Sequence, residues 1–224
     1  SVYGTTTVID SEETETARAN WVKEGDDWYY LLPDGSRNRQ GLQFDNALYK
    51  FNWNGSLKTA QWVPNTGGGA YPVFCYDEET QFLFDQLNDE KKDLYFDEYP
   101  DREEEYGNNE KRQYDRYAGF IMDEKLNQAA AHRLEAALAN GYSGDAIPGE
   151  GTLKDYLEKI SYRKNSSCRE LYLRGREDAD DAFDKLIGKT QDKYDSNGKR
   201  KDSLDYYRRV GMAHAEKDGE QYFM

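Results

Sequence analysis

The chain has 224 residues, of which 37% are hydrophobic and 14% aromatic. Its 30 basic and 44 acidic residues give a formal net charge of -14, which repels phosphate backbones and excludes nucleic acid as an expected partner. No stretch has the roughly 18 apolar residues that a membrane-spanning helix needs. The chain is nevertheless expected to fold, because its 19 tyrosines and 4 tryptophans bury large apolar areas.

Residues 1–19 are rich in threonine and glutamate and lack apolar periodicity, which predicts a flexible leader. The first residue is Ser1 rather than methionine. We interpret this as the loss of a natural start, through removal of a signal peptide or of an upstream region.

Residues 20–76 contain short aromatic runs that are separated by turn residues. The run at 28–31 is followed by Asp-Gly-Ser at 34–36, and the run at 48–51 is followed by Asn-Gly-Ser at 54–56. Asp-Gly and Asn-Gly favour tight hairpin turns, and aromatic residues favour strands. The two units align with an offset of 20 residues, which indicates an internal repeat of β-hairpins.

Beyond residue 77 the apolar spacing becomes helical. A first helix is predicted around residues 82–87, with Thr80 as its N-cap. The clearest helix is predicted over residues 122–140 and ends at Gly141, because one apolar stripe runs along it.

Two further elements complete the second half of the chain. Residues 178–187 predict a helix that ends at Gly188, and residues 206–215 and 221–224 predict a terminal β-hairpin. Helices between strand segments indicate an α+β fold. The predicted organisation is a leader over 1–19, hairpin repeats over 20–76 and a second domain over 77–224.

Cys75 and Cys168 are the only cysteines. An even count permits one disulfide, which would tie the two predicted domains together, and two free thiols are the alternative.

The repeat unit, with its opening tryptophan, its Trp-Tyr-Tyr-Leu core and its Asp-Gly-Ser turn, resembles the choline-binding or glucan-binding repeats of Gram-positive surface proteins. In those families, aromatic rings of successive hairpins hold quaternary ammonium groups by cation–π attraction or stack on sugars. The alternative is that the rings fill the core of a small hairpin stack. The resemblance implies a cell-wall polymer (choline, teichoic acid or glucan) as the partner of Trp21, Trp28, Tyr30, Trp53 and Trp62.

Residues 77–224 resemble the CAP superfamily, also called SCP-like, whose extracellular domains are α-β-α sandwiches. The resemblance implies a secreted protein with that fold. It rests on the order and spacing of five motifs: Asn88 in a first helix, residues 123–133 in a second, Glu170-Leu171-Tyr172 where the family has Glu-Asn-Ile, residues 182–184 at the start of a third helix, and residues 207–213 with the closing Tyr222 as its last strands.

The chain departs from that family at the cavity, which usually carries two histidines and two acids that can hold a divalent metal. The only histidines, His132 and His214, fall outside the positions of that pair. By spacing, Asp145 and Asp192 take those positions, and Glu170 carries over. Carboxylates favour hard cations, so the resemblance implies a calcium or magnesium site here, and ordinary surface carboxylates are the alternative.

The sequence contains no motif that requires a cofactor. Cys168 has no histidine beside it, and the glycine run at 67–69 lacks the lysine and the helix start of a phosphate-binding loop. The leading hypothesis is therefore a secreted, non-enzymatic binding protein associated with the cell surface. The alternative is an extracellular metal-dependent hydrolase that acts on cell-wall peptide or glycan through the acidic cavity residues.

Overall fold

The structure is a computed structural model that describes residues 7–8, 20–44, 47–62, 77–101, 118–162, 167–190, 194–199 and 204–224. Most of the predicted leader, Cys75 and Asp192 lie outside the described residues.

The described residues form an α+β fold of strands, α-helices and one short 3-10 helix at Leu204–Tyr206. The helices are α1 (Glu78–Glu98), α2 (Glu124–Asn140), α3 (Leu153–Lys159) and α4 (Ala179–Thr190). The strands are β1 (Thr7–Val8), β2 (Trp21–Glu24), β3 (Asp27–Tyr30), β4 (Leu42–Phe44), β5 (Ala47–Phe51), β6 (Leu57–Trp62), β7 (Ile121–Asp123), β8 (Ala146–Ile147), β9 (Gly151–Thr152), β10 (Leu173–Arg176), β11 (Arg209–Val210), β12 (His214–Lys217) and β13 (Glu220–Phe223).

The two aromatic units fold into equivalent hairpins, β2–β3 and β4–β5. Val22 lies opposite Tyr29 in the first hairpin, and Leu42 lies opposite Tyr49 in the second, so the register repeats at the offset seen in the sequence.

The turns that follow the two hairpins are equivalent as well. Oδ1 of Asp34 accepts a hydrogen bond from the backbone N–H of Ser36 at 2.9 Å, and Oδ1 of Asn54 accepts one from Ser56 at 3.0 Å. The same side-chain chemistry therefore builds both turns.

One sheet joins the two predicted domains. Its strand order is β1-β4-β5-β6-β7-β11, and Ala60 on β6 lies opposite Met122 on β7. The main apolar core likewise contains Trp21 and Phe44 together with Leu83 and Phe120. The sheet and the core therefore both extend across the boundary predicted at residue 77. Strand β6 pairs with β7 and so does not remain an open edge.

A second sheet has the order β10-β13-β12. Its β12–β13 hairpin turns at Asp218 and Gly219, which have φ angles of 52° and 79°, as an Asp-Gly turn predicts. The predicted first strand of this hairpin was too long, because residues 209–210 instead form β11 and pair in parallel with β7.

The helix ends differ from their predictions in two places. Asp77, not Thr80, is the N-cap of α1, and its Oδ1 accepts a hydrogen bond from the Thr80 backbone N–H at 2.9 Å. Helix α4 continues through Gly188 to Thr190, because Gly188 does not take the positive φ that commonly accompanies a glycine helix end. Helix α2 ends at Gly141, with a φ of 89°, as predicted.

None of the described helices is long and apolar enough to cross a membrane. The layering of the second half as an α-β-α sandwich stays a prediction.

Candidate functional site

A cavity of about 1300 Å³ lies among the four helices, the segment 167–173 and the segment 204–212. We call it the leucine-lined cavity. It is at least as large as the pockets that usually hold small molecules, which measure roughly 300–1,000 Å³.

The floor of the leucine-lined cavity is apolar. Each helix contributes to it from the apolar stripe that it turns toward the core. Its buried side chains include Leu83 and Leu87 of α1, Leu157 of α3, Leu186 of α4, Leu173 and Phe223.

The mouth of the cavity is polar, and the buried carboxylate of Asp123 organises one side of it. Oδ2 of Asp123 accepts hydrogen bonds from the Tyr162 hydroxyl at 2.8 Å and from Nη1 of Arg209 at 2.7 Å. Its Oδ1 accepts a hydrogen bond from the Lys125 backbone N–H at 3.0 Å and so caps α2. One side chain thus fixes a helix start and two cavity residues.

Ser161 lines the cavity and lies in the turn that follows α3. Its φ of 57° is left-handed, a conformation that favours glycine. The Tyr162 backbone N–H donates to the Leu157 carbonyl at 2.9 Å, and the Ser161 N–H donates to the Glu158 carbonyl at 3.1 Å. This helix-terminating motif turns the chain back, and Tyr162 then reaches Asp123.

Glu170 is among the residues that line this cavity and is held by a buried guanidinium. Nη2 of Arg133 donates to Glu170 Oε1 at 2.9 Å, and Nε of Arg133 donates to Oε2. The Tyr142 hydroxyl donates to Oε1 at 2.9 Å. The side chain of Arg133 is 0% exposed and that of Glu170 is 7% exposed. A bidentate pair of this kind compensates the charge of Glu170 inside the protein.

Two groups beside the buried Glu170 are themselves affected by burial: the Tyr142 hydroxyl and the Arg133 guanidinium. Burial, and then the hydrogen bond and charge of Glu170, raise the pKa of Tyr142 above its usual range. Nη1 of Arg133 is buried and has no hydrogen-bond partner among the described residues. A buried N–H group in that state accommodates a water molecule or a polar ligand atom.

The described part of the structure does not show the three predicted cavity acids, Asp145, Glu170 and Asp192, as one cluster. Asp145 is exposed and is not among the residues that line the cavity, and Asp192 lies outside the described residues. Within the part of the chain that the structure describes, no three or more His, Cys, Asp or Glu side chains are grouped to hold a metal ion. The residues at hand fit a calcium or magnesium site poorly, because Glu170 already faces a guanidinium.

The repeat aromatics are mostly packed rather than open. Trp21 and Tyr30 are buried in the core, and the Trp21 ring stacks on Phe51 with centroids 5.8 Å apart. Neighbouring rings therefore cover both, as the alternative interpretation of a packed hairpin core describes, and ligand binding at these two rings stays a prediction. Trp28 is partly buried against the same core.

Trp53 differs from the other repeat aromatics, since it is 88% exposed. The guanidinium carbon of Arg39 lies 5.7 Å from its ring centroid. Trp62 lies on β6, and its side chain is outside the described part of the structure.

Cys168 is exposed and lines the cavity. Its predicted partner Cys75 lies outside the described residues, so the disulfide stays a prediction. Burial raises the pKa of the Cys168 thiol, Lys154 opposes this, and Glu170 adds to it. A thiol with a raised pKa is a poor nucleophile at neutral pH.

Both histidines are engaged elsewhere. Nε2 of His132 lies 3.0 Å from Glu150 Oε2, and its ring stacks on Tyr156. Nδ1 of His214 lies 2.6 Å from Asp77 Oδ2. Neither is among the described residues that line the cavity.

Sequence reasoning missed the roles of Asp123, Arg133, Tyr162 and Arg209. For Arg133 a signal was present, because this arginine interrupts the apolar stripe of α2 and a charge on a buried face needs a partner. For Arg209 and Tyr162 no local pattern points to Asp123, since they lie 86 and 39 residues from it in the chain.

No protein-family model matches this sequence, and a comparison with curated proteins gives no significant match. Among solved structures, the chain is similar to an extracellular protein containing a SCP domain from Bacillus anthracis str. Ames. The two chains are 10% identical, with a TM-score of 0.39 over 97% of this chain and 70% of that one. A likeness of this size does not establish a common fold, so the function is argued from the cavity itself.

Proposed function

We propose that this chain is a secreted, non-enzymatic binding protein that takes a small apolar molecule into the leucine-lined cavity. The secreted setting follows from the motifs that resemble the extracellular CAP superfamily. Among the repeat aromatics whose side chains the structure describes, Trp53 is the most exposed, and we assign the wall-polymer contact expected of the repeats to it.

The observation that carries the proposal is the apolar floor of a cavity of about 1300 Å³. Apolar walls with a few oriented polar groups are typical of small-molecule sites. Each methylene of a ligand contributes about 0.8 kcal/mol of binding free energy when it leaves water, so a floor of leucines favours an apolar ligand.

The state of Glu170 supports binding rather than catalysis. A general acid or base must meet its substrate through a carboxylate oxygen, and both carboxylate oxygens of Glu170 already accept hydrogen bonds from the buried Arg133. The hydrolase alternative loses its support for the same reason, and because Asp145 is not part of the cavity lining.

Uptake of Nile red, a neutral apolar dye, tests the proposal on the full chain. We expect a saturable rise in dye fluorescence for the unchanged protein. Leu171→Asp places a charge on the cavity wall and is expected to weaken binding by about tenfold or more, because an unpaired charge must then be desolvated.

Leu138→Asp is the matched control, since Leu138 is also partly buried but packs against a different cluster and is not among the cavity-lining residues. Circular dichroism establishes that each variant is folded, and Leu171→Asn replaces Leu171→Asp if the latter unfolds. No dye uptake by the unchanged protein, or equal uptake by both folded variants, overturns the proposal.

The wall-polymer contact is tested by titrating the full chain with choline, teichoic acid and glucan while tryptophan fluorescence is followed. An exposed ring beside a guanidinium presents one face for stacking on a sugar, which supports this contact. Trp53→Ala is expected to abolish the response, whereas Tyr194→Ala, which removes another exposed ring, leaves it unchanged. A response that persists in Trp53→Ala, or that is missing from the unchanged protein, removes this part of the proposal.

A further inference from the structure

An ordered turn holds the ring of Trp53 open to solvent. The ring is 88% exposed, yet the backbone on both sides of it is fixed. The Gly55 backbone N–H donates to the Asn52 carbonyl at 2.9 Å, and the Asn52 N–H donates to the Ser56 carbonyl at 2.7 Å. A ligand that stacks on this ring therefore does not have to order the loop that carries it, which lowers the entropic cost of binding.

The segment that follows the first repeat turn carries Arg39 and is fixed as well. The backbone N–H of the buried Asn38 donates to the Tyr30 carbonyl at 2.8 Å, and its Nδ2 donates to the Gln40 carbonyl at 2.6 Å. A Cβ atom added at Gly55 would lie 3.4 Å from the Asn38 carbonyl oxygen, so the second turn packs directly on this segment. The packing of one turn on the other places a guanidinium beside an exposed ring.

The positive charge of Arg39 is available to a ligand. Its guanidinium carbon lies 5.7 Å from the centroid of the Trp53 ring, and the residue is exposed. It forms no ion pair with any residue in the described part of the chain. The neighbouring Arg37 differs in this respect, because it pairs with Glu24. The N–H donors of Arg39 are therefore not engaged by a described carboxylate.

This charge argues against a cationic ligand on the Trp53 ring. A quaternary ammonium group bound there would lie close to the guanidinium of Arg39, and like charges at contact range oppose binding. A cage for such a group also needs several open rings, and Trp21 and Tyr30 are buried. Of the three expected wall ligands, choline therefore fits this site poorly.

The hairpin repeats do not share the acidic excess of the chain. Residues 20–62 contain as many basic as acidic residues, so the net charge of -14 arises outside them. The basic residues are Lys23, Arg37, Arg39, Lys50 and Lys58, and the acidic ones are Glu24, Asp26, Asp27, Asp34 and Asp45. At about 0.1 M salt the Debye length is about 10 Å, so more distant acids repel an anion at Arg39 only weakly.

We infer that the wall polymer that contacts Trp53 is an anionic glycan, whose sugar ring stacks on the indole and whose acidic group binds Arg39. This inference rests on the wall-polymer part of the proposed function. The flat indole face fits the C–H face of a sugar ring, and a guanidinium fits a carboxylate or a phosphate through two parallel hydrogen bonds. Both acidic groups share this chemistry.

Retention of the full chain on beads of dextran and of carboxymethyl-dextran tests the inference, because the two matrices differ only in charge. We expect the unchanged protein to bind carboxymethyl-dextran about threefold more strongly at neutral pH, a factor typical of an exposed charge pair. An acidic protein without this site would instead be repelled by the anionic matrix. Soluble polygalacturonate or teichoic acid should elute the protein, and the more effective of the two identifies the acidic group as carboxylate or phosphate.

Arg39→Gln is expected to lower retention on carboxymethyl-dextran to the level on dextran or below it. The side chain is exposed, so the fold tolerates the change, and circular dichroism checks it. Lys217→Gln is the matched control, since it removes the same charge from an exposed position on β12 and should keep the preference. Trp53→Ala should lose retention on both matrices, because the stacking surface is gone.

The outcomes separate two failures. If neither matrix retains the unchanged protein, or Trp53→Ala is retained equally well, the wall-polymer part of the proposed function fails. If retention depends on Trp53 but is equal on the two matrices, or if Arg39→Gln keeps the preference, the inference of an anionic glycan is overturned while the wall-polymer contact stands. Elution by oligothymidylate at lower concentrations than by either glycan also overturns the inference, because the ligand would then be a single-stranded nucleic acid.

Discussion

The pairing of Arg133 with Glu170 decides what the inner wall of the cavity can do. Arginine presents a planar fork that matches a carboxylate, and the Tyr142 hydroxyl occupies a further lone pair of the same group. Burying this ion pair costs desolvation free energy. Removing one partner costs more, because the remaining partner would be an isolated charge in a low-dielectric interior.

Glu170→Gln is therefore expected to lower the free energy of unfolding by about 3 kcal/mol or more, since it leaves the guanidinium without a counter-charge. The measurement is urea denaturation followed by circular dichroism. Glu158→Gln, at an exposed acid on the same cavity, should change stability by less than about 0.5 kcal/mol.

The double variant Arg133→Met/Glu170→Leu should recover most of the loss, because it removes both charges together. A Glu170→Gln protein as stable as the unchanged one would show that the Arg133–Glu170 pair does not stabilise the folded state.

Among the elements, the two repeat turns resemble each other in conformation but differ in their surroundings. Gly35 and Gly55 both have positive φ angles, of 83° and 89°. A Cβ atom added at Gly35 would meet nothing within 4 Å, whereas one at Gly55 would lie 2.8 Å from Cβ of Arg37. The second turn therefore packs against the chain that leaves the first turn.

Gly35→Ala should cost about 1 kcal/mol, from left-handed strain alone. Gly55→Ala should cost about 1–3 kcal/mol more, because the backbone must also shift to relieve the clash. Thermal and urea unfolding of the two variants measure the difference. Equal costs would mean that the two turns do not pack as described.

Helix α1 carries an acid whose burial opposes its charge. Burial, and then the charge of Asp89, raise the pKa of Asp85 to about 7, and Lys92 works in the opposite direction. A carboxyl group with a raised pKa favours the folded state in its protonated form. The stability that it contributes is fully present below its ordinary pKa, 3.8, and is lost as the pH rises from there through about 7.

Asp85→Asn is expected to stabilise the protein at pH 8 by on the order of 1 kcal/mol, a figure reduced because solvent screens a partly exposed group. The gain should vanish near pH 4. Urea unfolding at both pH values measures it, and Asp184→Asn, an exposed helical acid of α4, is the control. The same gain in stability for Asp85→Asn at pH 4 and pH 8 would contradict the raised pKa of Asp85.

At the scale of the whole molecule, the hairpin repeats and the helical half share a sheet and a core. All four tryptophans lie between residues 21 and 62, and the described helices all begin after residue 77. Tryptophan fluorescence and the far-ultraviolet helical signal therefore report on different halves of the chain.

We expect these two signals to give one coincident urea transition, because β6–β7 pairing and the common core couple the halves. Met122→Asp, at a buried position on β7, should shift both transitions together. Two separate midpoints would instead support the predicted boundary at residue 77 as a division between independent domains.

Sequence reasoning found the features that depend on neighbours in the chain. Asp-Gly and Asn-Gly located the turns, and the apolar stripe located α2 to within two residues at its start. It did not find the pairing of β6 with β7 or the meeting of Arg209 with Asp123, because those partners are far apart in sequence and no local pattern records them. Glu170 was predicted from a family resemblance, and its pairing with Arg133, which changes the chemical interpretation, could not be predicted from either residue's neighbours in the chain.

The pairing of β6 with β7 also sets an order of events during synthesis. Ala60 leaves the ribosome about 60 residues before its partner Met122, so the outer edge of β6 is made long before the strand that covers it. An uncovered strand edge recruits other chains. The nascent repeats therefore stay prone to aggregation until residue 123 has emerged, and rapid synthesis of the segment between β6 and β7 shortens that period.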